Sequence, residues 1–398
     1  MNKYKNDFPL YLKHPNLAYL DSAASSLKSK YVIEKLDEYY NDLGVNVHRG
    51  VYELSYAATN LYEEARQRVA DFINASFEEI VFTRGTTASL NMIALTYGKA
   101  AISEGDEIIV SELEHHSNFI PWQKLAEEKK AKLVFVPLEN NRITVENFES
   151  VLTDKTRIVA LNHVSNVLGY VTPVKEICKI AHRAGAIVII DGAQAVPHMK
   201  VDVKDLDCDF YAFSGHKMTG PTGIGVLYGK KFLLENMEPL EYGGDMADEV
   251  YLDRSTYKDI PYCFEAGTPI IAEAIGLGEA CCYLEKVGFD YISKHEKQIK
   301  DIALKELLKM EDIEIYNPDC ETGIITLNVK GVHPHDIASI LDQNGVCIRA
   351  GHHCAQPITR HLGQIATIRA SFYFYNDEED ALKLVEALKE AVSFFKQF

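Results

Sequence analysis

Apolar residues recur at helical spacing early in the chain. Leu61, Ala65, Val69 and Phe72 lie about one turn apart behind Ser55, so 55–73 reads as an amphipathic helix capped by a hydroxyl. The period then changes. Short runs rich in β-branched residues at 80–83, 107–111, 133–136, 157–162, 186–190, 210–214 and 225–228 predict strands. Several are apolar on both faces, as strands inside a mostly parallel sheet must be, and helical segments such as 86–97 and 173–184 lie between them. Alternation of this kind predicts an α/β layered domain.

After about residue 283 the texture shifts. A long charged helix over 289–310 leads to a strand at 323–329, a helix at 335–344, strands at 346–349 and 367–371, and a terminal helix at 377–396. These elements predict a smaller α+β unit. No repeat or Pro/Gly-rich linker intervenes, so a large domain over 20–282 and a small one over 283–398 are expected to meet at a continuous hinge helix. The segment 1–19 joins them and has features that suit packing on either body.

The chain has 398 residues, enough for a large core, and its 47% hydrophobic content excludes the signature of disorder. Lys+Arg 41 against Asp+Glu 58 leaves a net charge of −17, which disfavours nucleic acid and anionic membranes as partners. A local cationic pocket for one small anion is still compatible with that field. The N-terminus lacks an apolar leader core and no later run approaches the ~18 apolar residues of a membrane span, so a cytoplasmic location is expected. Eight cysteines without a CxxC pair read as free thiols in a reducing compartment.

Ligands of open α/β sheets bind beyond the carboxyl ends of the strands, and the residues there form a set. Arg84-Gly85-Thr86-Thr87 opens a helix with backbone N–H groups and hydroxyls suited to an anion, but without the lysine of a nucleotide-binding P-loop. Glu114-His115-His116 follows the second strand and His163-Val164-Ser165-Asn166 the fourth. Asp191 ends a buried apolar strand, where an acid is costly unless it meets a cation. Ser214-Gly215-His216-Lys217 follows the sixth strand, and a lysine there suggests a Schiff base to pyridoxal phosphate, with Asp191 as partner of the pyridine nitrogen. The glycines of 220–225 have reversed spacing for a dinucleotide fingerprint. His352-His353-Cys354 lacks a fourth ligand at zinc-finger spacing, so no metal site is expected.

Together, Phe213 to Lys217 and on to Gly225, Asp191 to Gln194, Arg84 to Thr87, Glu114-His115-His116 and Arg349 to Cys354 resemble the motifs of group II cysteine desulfurases of the SufS type. These belong to the class V aminotransferases, fold-type I pyridoxal phosphate enzymes. The likeness covers nearly the whole chain, in motif order and spacing; the one departure noted is Ala88-Ser89 where Glu-Gly is common.

The resemblance implies a fold-type I architecture and a role for each matching residue. Lys217 would carry the cofactor and later move the Cα proton, while Asp191 pairs with the pyridine nitrogen, His115 stacks on the ring and Gln194 bonds the phenolate oxygen. Thr86, Thr87, Ser214 and His216 match the phosphate ligands, and Arg369, assisted by Asn166, the grip on the substrate carboxylate. Arg349 and His48-Arg49 resemble entrance residues. Cys354 would attack the sulfur of L-cysteine, leaving alanine and a persulfide for iron–sulfur cluster assembly. Phe264 to Pro269, with Thr268, resembles the segment that reaches the neighbouring subunit's phosphate, which implies a homodimer. His333-Pro334-His335 resembles members served by a zinc-containing SufU-like acceptor, the alternative being that His335 only caps the helix that begins there; a SufE-like acceptor is the other expectation. The alternative reading is a selenocysteine lyase, whose better leaving group need not involve Cys354.

Overall fold

In the computed structural model, which describes residues 2–397, the β-branched runs are strands within a residue or two of their expected bounds: Ile80–Thr83, Glu107–Ser111, Lys132–Val136, Thr156–Asn162, Ile187–Asp191, Phe210–Ser214 and Gly225–Gly229. They form one seven-stranded sheet in the order 80–83, 225–229, 210–214, 187–191, 156–162, 107–111, 132–136. Only 225–229 runs antiparallel to its neighbours. The central strands are buried on both faces, whereas 132–136 at the edge is largely half-exposed and carries Lys132. Apolar clusters fill both sides: Val159, Leu161, Val188, Ile190, Tyr211 and Phe213 on one, Ile108, Val110, Ala160, Ile189 and Phe210 on the other.

A second, antiparallel sheet follows, in the order Ile313–Ile315, Ile324–Val329, Thr367–Ser371, Arg349–Gly351. Helices Phe289–Leu307, Pro334–Gln343 and Glu378–Phe395 cover it through a third cluster that includes Ile299, Leu327, Ile337, Ile368 and Leu384. The N-terminal segment touches both bodies. Phe8 and Tyr11 pack in the large cluster, while Ala18 and Leu20 pack in the small one, and Ala18–Tyr19 pairs in parallel with Val346–Cys347.

Local expectations fail where tertiary contacts override them. The early helix spans Glu53–Phe72, so Ser55 lies inside it and donates to Asn46 O at 2.9 Å instead of capping it. The expected strand 346–349 splits into two short strands that serve different partners, the N-terminal segment and Thr367–Ser371. Helix Ile271–Val287 ends at Gly288, whose φ of +87° only glycine adopts readily, and Phe289–Leu307 starts at once, so two helices abut where a continuous one was expected. The expected boundary at 282/283 falls inside the first of them. Among the described residues no helix is long and apolar enough to cross a membrane.

One buried ion pair ties a loop to the sheet. Arg66, fully buried, makes two bonds to Glu265 (2.6 and 2.8 Å), and Glu265 also accepts from Tyr62 Oη and the Phe82 backbone, which fixes 264–269 against strand 80–83.

The carboxyl edge is shaped by a close approach. Thr83, Gly225 and Ser214 stand side by side in register, and a Cβ on Gly225 would lie 2.4 Å from Gly85 Cα and 2.6 Å from Phe213 O. Gly225→Ala is therefore expected to lower stability by ~1–3 kcal/mol, read from the denaturant midpoint.

Candidate active site

The parallel strands and strand 80–83 end on the same edge, and their following turns surround a cavity of about 170 Å³. Its lining contains Thr86, Thr87, His115, Asn166, Asp191, Ser214, His216, Lys217, Arg349 and Arg369, ten of the residues singled out from the sequence. The second sheet supplies the two arginines, from adjacent strands in direct register. The cavity is thus built by both sheets together.

On the first side, helix Thr86–Ile93 begins at Gly85 (φ +139°). Ser214 Oγ accepts from the Thr86 backbone N–H (2.9 Å) and contacts Thr86 Oγ1 (2.7 Å). Thr87 Oγ1 meets Ser117 Oγ at 2.7 Å, and Ser117 Oγ is 3.0 Å from His115 Nδ1. Hydroxyls and N–H groups at a helix N-terminus, with His216 nearby, form a donor set that fits a phosphate monoester. Burial and the positive charges of Lys217 and Lys28 hold His216 down at about 4, a neutral ring at pH 7.

Asp191 is buried, accepts from the Ala193 N–H at 3.0 Å, and is pushed up by burial against the opposing pull of Lys217. Lys217 is pulled down to about 8, by burial first and then by Arg369 and Arg349, while Asp191 pulls the other way. An amine that loses its proton near neutrality, paired with a fixed carboxylate, suits capture of an aldehyde. Burial, Lys217 and the neighbouring cations hold His115 at about 3, so its ring is neutral and free to lie against an aromatic face. The residues present therefore fit a phosphorylated aromatic aldehyde.

Arg369 is 1% exposed; Nη1 donates to Asn166 O (2.7 Å), Nη2 to Asp21 Oδ1 (3.1 Å), and Nε is buried without a partner. The adjacent thiol loop is held in an unusual backbone. Gly351 has φ +132°, and His353 and Cys354 follow at +52° and +54°, a left-handed conformation that non-glycine residues enter only at a cost of ~1–3 kcal/mol each. Tethers hold it there: Asn166 Nδ2 donates to His353 O (2.9 Å), His116 N to Cys354 O (2.7 Å), and Gln356 N to His116 Nε2 (3.1 Å). Arg349 Nη2 lies 3.8 Å from Cys354 Sγ. Burial pushes the other seven cysteine thiols up, to about 12 at Cys178 and about 11 at Cys263.

Not every expected residue meets the cavity. Thr268 lines a different one with Phe82, Arg84 and Glu265. Gln194 is outside the lining of the site: one N–H of its amide donates to Ala23 O (2.7 Å), the second N–H is left to bond a phenolate oxygen, and Oε1 is buried without a partner. His48 pairs with Glu63 (2.6 Å), and Arg49 with Asp245 (2.9 Å), both outside the cavity lining. His333, not His335, caps helix Pro334–Gln343, its Nδ1 accepting from His335 N at 3.3 Å. Residues given no role from the sequence also line the site: Ala23 and Ala24, in a run of small residues, Ser117, just past Glu114-His115-His116, and His353, within the Arg349 to Cys354 motif.

The model of the aminotransferase class-V family matches residues 18–384. The chain belongs to that family. It is 53% identical over 399 residues to a protein of Halalkalibacterium halodurans named a probable cysteine desulfurase, an alignment that covers 99% of this chain and 98% of that one. A protein of the same name from Staphylococcus epidermidis is 54% identical, with 98% and 96% covered. Among solved structures, the cysteine desulfurase CsdA of Escherichia coli superposes with a TM-score of 0.92 at 40% identity, covering 98% of each chain. The apo cysteine desulfurase of Thermococcus onnurineus NA1 reaches 0.94 at 42%, covering 98% of this chain and 97% of that one.

The depressed Lys217 carries a test of the site. Its reactive, unprotonated form is populated above about pH 8 rather than near the usual lysine value. Capture of a small aromatic aldehyde by the cofactor-free protein, followed by absorbance, is expected to rise through about pH 8 and to vanish in Lys217→Ala.

Proposed function

We propose that this chain is a pyridoxal-phosphate-dependent cysteine desulfurase that converts L-cysteine to L-alanine and keeps the sulfur on Cys354 as a persulfide. One observation carries the reading: a cysteine on a strained, tethered loop stands beside the arginine-lined wall of a cavity that also holds Lys217 and Asp191. The names of the relatives support it.

In this reading Thr86, Thr87, Ser214 and His216 hold the phosphate, Asp191 the pyridine nitrogen, and His115 the ring face. Gln194 serves the phenolate oxygen with the amide N–H not given to Ala23 O. When bound, the cofactor supplies an electron sink for the α-carbon of the substrate. Arg369 binds and orients the substrate carboxylate, with Asn166 fixing the guanidinium through its carbonyl. Lys217, able to shed its proton near neutral pH, takes and returns the proton at Cα. Arg349 Nη2 stands 3.8 Å from Cys354 Sγ, the sulfur that reacts. The thiolate attacks the sulfur of the substrate: an S–S bond forms, the C–S bond breaks with its electron pair left on carbon, and that carbon is protonated to give alanine. The persulfide is then passed to an acceptor protein, SufU-like or SufE-like, for iron–sulfur cluster assembly.

The reading includes a homodimer. Thr268, fixed by the Glu265–Arg66 pair but away from its own Lys217, would serve the phosphate of the second copy. The exposed hairpin near it, with Val250 71% exposed, gives that copy apolar surface to cover. Residues 20–282 would form the cofactor-binding body and 283–398 the smaller one, working in the cytoplasm.

Steady-state alanine formation from L-cysteine is the test, run on the wild type and two variants. Both Lys217→Ala and Cys354→Ala are expected to lose at least ~10³-fold in rate. Full activity in Cys354→Ala would overturn the desulfurase reading, and Cys354-independent turnover of selenocysteine alone would favour the lyase.

A further inference from the structure

Two arginines, Arg349 and Arg369, face each other across adjacent antiparallel strands and line the same small cavity. Like charges directly opposite in a sheet destabilise it, and removing the Arg369 side chain from water adds to the cost. Among the described residues the one carboxylate within ion-pair distance of either is Asp21, whose Oδ1 lies 3.1 Å from Arg369 Nη2. Its placement is built into the backbone. Asp21 forms a parallel bridge with Ser371 on the strand that carries Arg369, Ser371 N donates to Leu20 O at 2.7 Å, and Ala23 N donates to Ser371 Oγ at 3.0 Å. No motif in the sequence marks this segment for a chemical role.

The bonds around Arg369 are one-sided. Nη1 is held by Asn166 O and Nη2 by Asp21, while Nε is buried and has no partner. A guanidinium fixed in this way presents its Nε side to a second carboxylate.

We propose that Asp21 is the resident counter-ion of Arg369 and sets how tightly the site holds a carboxylate. It neutralises and orients the guanidinium when no substrate is bound, and it opposes the substrate carboxylate once that arrives on the Nε side. This deepens the desulfurase reading and rests on Arg369 as the carboxylate grip. Two carboxylates on either side of one guanidinium repel each other at roughly 6–7 Å, which at the effective dielectric of a protein, ~20, weakens binding by on the order of 50- to 100-fold. The product alanine carries the same carboxylate as the substrate, so a deliberately weakened grip favours its release.

The experiment measures thermal stabilisation of the holoenzyme by propionate, a three-carbon carboxylate with neither the amino group nor the thiol of cysteine. Asp21→Asn keeps an oxygen acceptor for Nη2 and removes the charge. The propionate concentration for half-maximal stabilisation is expected to fall about 50- to 100-fold in Asp21→Asn, to stay near wild type in Asp21→Glu, and to show no response in Arg369→Ala. With L-cysteine the gain in Asp21→Asn is expected in KM and not in kcat. Recovery of Asp21→Asn in folded form only with propionate present would also support the counter-ion role. Equal or weaker propionate binding by Asp21→Asn, or equal tightening by Asp21→Asn and Asp21→Glu, would overturn it; if Asp21→Asn does not fold even with propionate, Asp21→Ser is judged by the same criterion. A wild type that binds propionate through Arg369 but makes no alanine from cysteine would sink the desulfurase reading and leave this one standing.

Discussion

The site depends on holding ionisable groups out of water at the carboxyl edge of the central sheet. Lys217, Arg349 and Arg369 converge on one cavity, and the carboxylates set against them are Asp191 and Asp21. Burial opposes every charge there, so a group keeps its charge only where a partner outweighs the loss of hydration. Lys217 gives way to about 8, His115 to about 3 and His216 to about 4, whereas Arg369 keeps its charge beside Asp21. The outcome is a lysine flanked by neutral imidazoles and able to shed its proton near pH 8, next to a cationic wall, inside a protein whose net charge is −17. Overall acidity and a local grip on anions coexist because the cationic groups sit in a recess rather than on the surface.

That recess exists only where the two sheets meet. The large sheet brings its strand ends together through parallel register, and the small sheet contributes Arg349, Arg369 and the loop of Cys354. Around the thiol loop, the contacts that cross between them include Asn166 to His353 and Arg369, and His116 to Cys354 and Gln356. They hold the thiol loop in a left-handed backbone that it would otherwise leave, so the position of the sulfur is a property of the assembled fold rather than of the loop.

Much of this was legible in the sequence for a physical reason. A strand buried on both faces is a run of β-branched residues, and the polar residue that breaks such a run marks its carboxyl end, where ligands bind; Asp191, Ser214 and His163 stand at those breaks. What escaped depends on contacts distant along the chain. Ser55 has a cap's chemistry, but Asn46 O takes its hydroxyl. The run 346–349 has one pattern but two partners, which only the packed chain defines. Asp21 is an ordinary acid after a two-residue strand until the parallel bridge to Ser371 brings it to Arg369, nearly the full length of the chain away. Gln194 carries the right amide, and one of its two N–H groups is anchored on the Ala23 carbonyl, a partner 171 residues earlier in the chain.

The central claim is that sulfur leaves the substrate on one particular cysteine. The most direct measurement is a single turnover of the holoenzyme with L-cysteine and no acceptor, followed by peptide mass mapping under non-reducing conditions. One added sulfur atom is expected on the peptide that carries Cys354 and none on the peptides of the other seven cysteines. Alanine formed in that turnover without an added sulfur on Cys354, or with the sulfur on another cysteine, would contradict it.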